Sequence, residues 1–119
     1  MKSKIISIGS YTPNNIVTNQ DLEKRVDTTD EWIVSRTGIK ARPIADDSQA
    51  TSDLAYEAAK IAIERAKIDK NDIDLIIVGT CTPDVATPNV GTLIQKRLDL
   101  KNFPAFSICL LYTSDAADE

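Results

Sequence analysis

Thr28-Thr29-Asp30-Glu31-Trp32-Ile33-Val34-Ser35-Arg36-Thr37-Gly38-Ile39 carries more information than any other stretch of the chain. Thr28 followed three residues later by Glu31 spells a capping box, in which each side chain satisfies a backbone N–H that a helix start leaves unpaired. Gly38 is placed to take the left-handed conformation that stops such a helix. The stretch therefore predicts a short helix with both ends marked. Trp32 and Arg36 stand four residues apart and share a face, with Thr28 at the upstream end of that stripe. An indole, a guanidinium and a hydroxyl in a row can stack a flat ring and bind a phosphate. The chain holds a single Trp, which gives this face its weight. The plainer reading is a surface cation–π pair that steadies the helix by about 0.5–1 kcal/mol. Spacing alone leaves both readings open.

Upstream, Lys4-Ile5-Ile6-Ser7-Ile8-Gly9-Ser10 is short and β-branched and predicts a strand ended by Gly9. Tyr11-Thr12-Pro13-Asn14-Asn15 is a turn cluster. Thr18 or Asn19 then caps a short helix with acids in its first turn.

Downstream, residues 40–45 read as extended and Asp46-Asp47-Ser48-Gln49 as a polar loop. Ser52 is the expected cap of a longer helix running to about Ile68. Its apolar stripe is Leu54, Ala55, Ala58, Ile61, Ala62 and Ala66, and the alanines let a neighbouring element come close. The opposite face alternates in charge through Glu57, Lys60, Glu64 and Lys67. Asp74-Leu75-Ile76-Ile77-Val78-Gly79 is a continuous apolar run, the mark of a strand covered on both faces. After a Pro-broken loop, Asn89 caps a helix with Val90, Leu93, Ile94 and Leu98 inside, and Pro104-Ala105-Phe106-Ser107-Ile108 resumes strand character. Strand, helix, strand at this spacing is a parallel βαβ unit.

Composition removes several classes of function. A net charge of −4 lacks the basic footprint that nucleic acid needs. No apolar run approaches the roughly 20 residues of a membrane span. Nor does the start of the chain read as a signal peptide, so a cytoplasmic protein is expected. There is no histidine, which excludes a Cys-His or Ser-His pair and most zinc sites within these residues. The two cysteines, Cys81 and Cys109, have no metal-ligand spacing, and a disulfide is not expected without export.

The string T-D-E-W-I-x-x-R-T-G-I, followed by Lys40-Ala41-Arg42, resembles the signature near the start of β-ketoacyl-acyl-carrier-protein synthase III, a thiolase-superfamily condensing enzyme. Ile8-Gly9-Ser10-Tyr11-Thr12-Pro13, Asn19-Gln20-Asp21-Leu22 and Thr80-Cys81-Thr82-Pro83-Asp84 fit further pieces of that pattern. The resemblance covers residues 1–108. It implies an α/β fold, a thiolase-like layered αβαβα sandwich of which only part is present. It implies that Trp32 stacks on the adenine of coenzyme A while Arg36 and Thr28 contact its nucleotide end. Thr87 falls where the family's loop reaches into the acyl pocket of the dimer mate, and a small residue there leaves space for a larger primer. Cys81 occupies a variable position and reads as a small buried residue.

The implied substrates are acyl-CoA and malonyl-acyl-carrier protein, with no separate cofactor and no metal, and a homodimer is implied for the full-length protein. The implied reaction moves an acyl group from coenzyme A to a cysteine, decarboxylates the malonyl group and joins the two. A histidine and an asparagine serve decarboxylation and bind the carbonyl oxygen in the family. By register the nucleophile belongs at position 112, where this chain has Tyr112. The sequence therefore assigns no catalytic residue, and this polypeptide alone is expected to be inactive. Cys109 does not take the nucleophile's place. Residues 109–119 leave the family pattern and match one reading frame of a common transposase-based sequencing adapter, so a non-native tail is expected there. Two alternatives stay open: another acyl-CoA condensing enzyme, of the hydroxymethylglutaryl-CoA synthase or secondary-metabolism type, and a non-catalytic nucleotide-binding module.

Overall fold

The computed structural model describes residues 2–109. The tail expected over 109–119 lies, apart from Cys109, outside the described residues, as does Tyr112. The described chain separates into two units, residues 12–49 and residues 2–11 together with 50–109.

In the first unit, strand β1 (Asn15–Thr18) pairs antiparallel with β2 (Ala41–Ile44), Ile16 opposite Pro43 and Val17 opposite Arg42. Between them run helix α1 (Asn19–Glu23) and helix α2 (Asp30–Thr37). The turn expected around residue 15 is thus already strand. Ile16, Val17 and Thr18 are β-branched and find their ladder partners, Pro43, Arg42 and Ala41, 23 to 27 residues downstream, a pairing that local pattern does not announce. At α1 a full capping box forms. Thr18 Oγ1 accepts from the Asp21 backbone N–H, and the Thr18 N–H donates to Asp21 Oδ2 at 3.1 Å. Val17 and Ile33 are the buried hydrophobics of this unit.

The second unit holds helix α3 (Thr51–Ala66), a 3₁₀ turn at Lys70–Asp72, strand β3 (Ile76–Gly79), helix α4 (Val90–Arg97) and strand β4 (Ala105–Ile108). β3 and β4 pair in parallel, Ile76 with Ala105 through Gly79 with Ile108, and α4 makes the crossover. The expected βαβ unit is present. Asn89 caps α4 as expected, accepting from Thr92 N–H at 3.1 Å, and Val90 and Ile94 are buried. An apolar groove of about 420 Å³ opens between α3, β3 and α4, lined among others by Ala55, Ala58, Ala62, Ile76 and Leu98. The small alanine side chains are what leave it open.

The strand expected over residues 4–10 does not form. The segment lies instead across α3, where Ser7 Oγ donates to the Ala62 carbonyl at 2.7 Å and Arg65 Nη1 donates to the Ile8 carbonyl at 3.0 Å. Gly9 is what permits the approach: a Cβ there would fall on the Ala58 carbonyl oxygen and within 2.5 Å of the Ala62 nitrogen. A strand needs a ladder partner as well as β-branched residues. No neighbouring strand pairs with this segment among the described residues, and Ile5, Ile6 and Ile8 stay exposed.

Candidate functional site

The Trp32 helix begins one residue later than the spacing predicts. Thr29, not Thr28, is its N-cap and accepts from the Trp32 N–H at 3.2 Å. The expected Thr28–Glu31 box is therefore absent. Glu23 reaches over from the end of α1 and its Oε1 accepts from the Asp30 N–H at 2.6 Å, satisfying a second orphan donor of the helix start. Gly38 closes the helix as expected, at φ 72°, and its N–H donates to the Val34 carbonyl at 2.8 Å.

This shift moves Thr28 off the helix and into the wall of a pocket. Asp27, Thr28, Thr29 and Trp32 enclose about 210 Å³. Arg36 lies with its guanidinium carbon 5.7 Å from the centre of the Trp32 ring, a cation–π distance. Trp32 keeps 58% of its surface in solvent. Burying a large aromatic ring is worth well over 1 kcal/mol, so an indole left this open is available to a ligand. The three residues singled out from sequence come together in one unit: Thr28 and Trp32 share a pocket, and Arg36 covers part of the same ring. Thr87 belongs to the other unit, where it is exposed and precedes Pro88 through a cis bond.

Sequence reasoning missed what holds α2 in place. Asn19 is completely buried. Its Nδ2 donates to Asp30 Oδ1 at 2.6 Å and to the Ile39 carbonyl at 2.8 Å, and its Oδ1 accepts from Arg42 Nη2 at 2.7 Å. Its backbone N–H donates to the Lys40 carbonyl at 3.2 Å. Asn19, Asp30 and Arg42 were all visible inside the matched strings, but as separate pieces.

In the second unit the Thr80–Asp84 loop folds back onto the start of α3. Thr51 Oγ1 donates to the Thr82 carbonyl, and Asp84 Oδ1 accepts from the Ser52 N–H at 2.8 Å. Cys81, in the same loop, is exposed, which corrects the expectation of a buried cysteine. Cys109 is half-buried, and both thiols are free. Among the described residues no three His, Cys, Asp or Glu side chains gather in a way that would hold a metal ion. No helix among them is long and apolar enough to cross a membrane.

A mixed sheet-and-helix chain with a parallel βαβ unit and an open Trp–Arg pair at the turn of its first helices fits part of one class of enzyme, the condensing enzymes of thiolase-like fold. Comparison with solved structures bears this out. The chain superposes on 3-oxoacyl-[acyl-carrier-protein] synthase III of Aquifex aeolicus VF5 with a TM-score of 0.84 at 44% identity, covering 97% of this chain and 39% of that one. The corresponding Thermus thermophilus enzyme gives a TM-score of 0.82 at 41% identity, over 90% of this chain and 33% of that one. Among curated proteins, β-ketoacyl-[acyl-carrier-protein] synthase III of Ehrlichia canis is 54% identical over 107 residues, which is 90% of this chain. No family model matches the chain. The chain is a homologue of β-ketoacyl-acyl-carrier-protein synthase III, and it spans about a third of the length of the curated relatives it matches.

Proposed function

We propose that this chain is the N-terminal part of a β-ketoacyl-acyl-carrier-protein synthase III and carries the surface that takes the nucleotide end of coenzyme A. The observation that carries the reading is the open Trp32 ring with Arg36 against it and Thr28 in the adjoining pocket wall. Trp32 offers a face for the adenine ring, Arg36 a planar fork for a phosphate, and Thr28 a hydroxyl at the pocket's edge. In the complete enzyme the acyl group leaves coenzyme A for a cysteine thiolate, forming a thioester and releasing the coenzyme A thiol. Malonyl-acyl-carrier protein then loses carbon dioxide, and the carbanion attacks the thioester and frees the cysteine. Thr87 belongs to the acyl pocket of the dimer mate in this reading, and the enzyme works as a cytoplasmic homodimer. Residues 109–119 are a non-native tail.

The polypeptide as written contains no histidine and has Tyr112 at the nucleophile's register, so it binds but does not condense. The binding test is a coenzyme A titration followed by the fluorescence of the single Trp. A saturable change that weakens in Arg36→Ala is expected, and a flat titration would overturn the reading. Incubation with acetyl-CoA and malonyl-acyl-carrier protein should give no ketoacyl product above background. Turnover that disappears in Cys109→Ala would show that Cys109 is a working nucleophile after all.

A further inference from the structure

Helix α2 is short, and its own sequence does little to hold it. Eight residues lie below the length at which an isolated helix persists in water, and Ile33 is its one buried side chain. A clamp built on Trp32 and Arg36 needs both side chains kept at fixed places along and around the helix axis. The Thr29 cap and the Gly38 stop define where α2 begins and ends, but neither ties it to the rest of its unit.

Asn19 does. One of its amide hydrogens goes to Asp30, the first residue of α2, and the other to the carbonyl of Ile39, just past the Gly38 stop. A single carboxamide thus grips the helix at both ends. Its oxygen is held in turn by Arg42 on β2, so the amide cannot rotate without breaking all three bonds. Every donor and acceptor of the Asn19 side chain that these contacts use is removed from water, so a partner lost there is not replaced by solvent. Only an amide fits the position, because it must donate twice and accept once. A carboxylate could not donate, and it would face Asp30 as a like charge.

We infer that Asn19 is a positioning residue for the coenzyme A clamp, setting the placement of Trp32 and Arg36 through Asp30 and Ile39. The inference rests on the nucleotide-binding reading given above. The plain alternative is that Asn19 merely contributes stability.

Calorimetric titration of the 119-residue chain with coenzyme A separates the two. The wild-type titration alone tests the binding reading, and its failure would remove the clamp and this role together. Given wild-type binding, Asn19→Ala should weaken affinity about tenfold, and the same substitution in a Trp32→Ala background should cost clearly less, because only Arg36 is then left to misplace. Equal losses in both backgrounds would mean a general destabilisation and would overturn the role. Asp30 supplies a second route should Asn19→Ala fail to fold. Asp30→Asn keeps an acceptor for Asn19 and should bind like wild type, whereas Asp30→Ala should lose affinity about tenfold. Matching affinities for Asp30→Ala and wild type would refute the inference.

Discussion

Asp84 caps a helix that begins 33 positions earlier in the sequence, at Thr51: its Oδ1 accepts from the Ser52 N–H at the start of α3. The residue at the N-cap position itself is Ala50, which has no side-chain acceptor, and the Ala50 N–H donates to Asp53 Oδ2 at 2.8 Å. Asp84→Ala should therefore cost about 1 kcal/mol, as loss of a cap does elsewhere. Hydrogen exchange at Ser52 and Asp53 measures it, with faster exchange expected there and little change at the far end of α3. Unchanged exchange would show that the loop contributes nothing to the helix start.

Coenzyme A affinity in a full-length synthase carrying these residues should fall by about 1–3 kcal/mol in Trp32→Ala, the usual worth of a base stacked on an aromatic ring. Arg36→Ala should weaken binding more at low salt than at high, since Arg36 is exposed and a phosphate bound to it would be open to screening. Arg36→Lys should recover only part, because an ammonium keeps the charge and loses the planar fork. Acyl transfer from acetyl-pantetheine, which lacks the adenine and its phosphates, should survive both substitutions. Equal losses with the two donors would reduce the pair to a helix brace.

Self-association is the expected behaviour of the isolated chain. Leu75, Ile77 and Phe106 on and beside the β3–β4 pair are between 42% and 54% exposed, whereas parallel strands are ordinarily covered on both faces. Among the described residues the buried hydrophobics of the second unit are Val90 and Ile94, a small core for so many exposed strand residues. Light scattering and sedimentation should report species that grow with concentration. A sharp, reversible thermal transition of a monomer would refute this.

Asp21 gives the first unit an acid-sensitive joint. Hydrogen bonds from the Thr18 side chain and backbone, assisted by Lys24, lower its pKa from 3.8 to about 2. A carboxyl with a depressed folded pKa adds stability that is complete above its unfolded pKa and is lost as pH falls through the folded one. The α1 capping box should thus hold at neutral pH and come apart between about pH 4 and pH 2. Carbon-13 detection of the Asp21 carboxyl should show the low titration, and Thr18→Val should raise it. A carboxyl that titrates near 4 in the folded chain would contradict the bond pattern.

Much of the fold could be read from the sequence where the cause is local. The βαβ unit, the Thr18 and Asn89 caps and the Gly38 stop all depend on residues within a few positions of each other, and all are present. The misses share a different cause. β1 needed Arg42 and Pro43 as partners, the α3 start needed Asp84, and residues 4–10 lacked a ladder partner. The start of α2 slipped by one residue because Thr28 and Thr29 are equivalent as caps, and it was Thr29 that took the Trp32 N–H while Glu23 took the Asp30 N–H. Of the site, the Trp32–Arg36 face was legible from i,i+4 spacing, and the Asn19 grip beneath it was not.

The division of the chain into residues 12–49 and a second, discontinuous unit has a consequence for synthesis. A ribosome releases the chain from its N-terminus, and domains form as their residues emerge. Residues 12–49 contain every partner of the Asn19 network and of the β1–β2 ladder, so this unit can close as soon as Gln49 is out. The segment before it cannot. Ser7 and Ile8 must wait for Ala62 and Arg65, and until α3 emerges the run Lys4-Ile5-Ile6-Ser7-Ile8 trails without a surface to lie on. Residues 4–8 are made before the unit that follows them yet are seated after it, and this interval is when a nascent-chain chaperone has an extended apolar segment to hold.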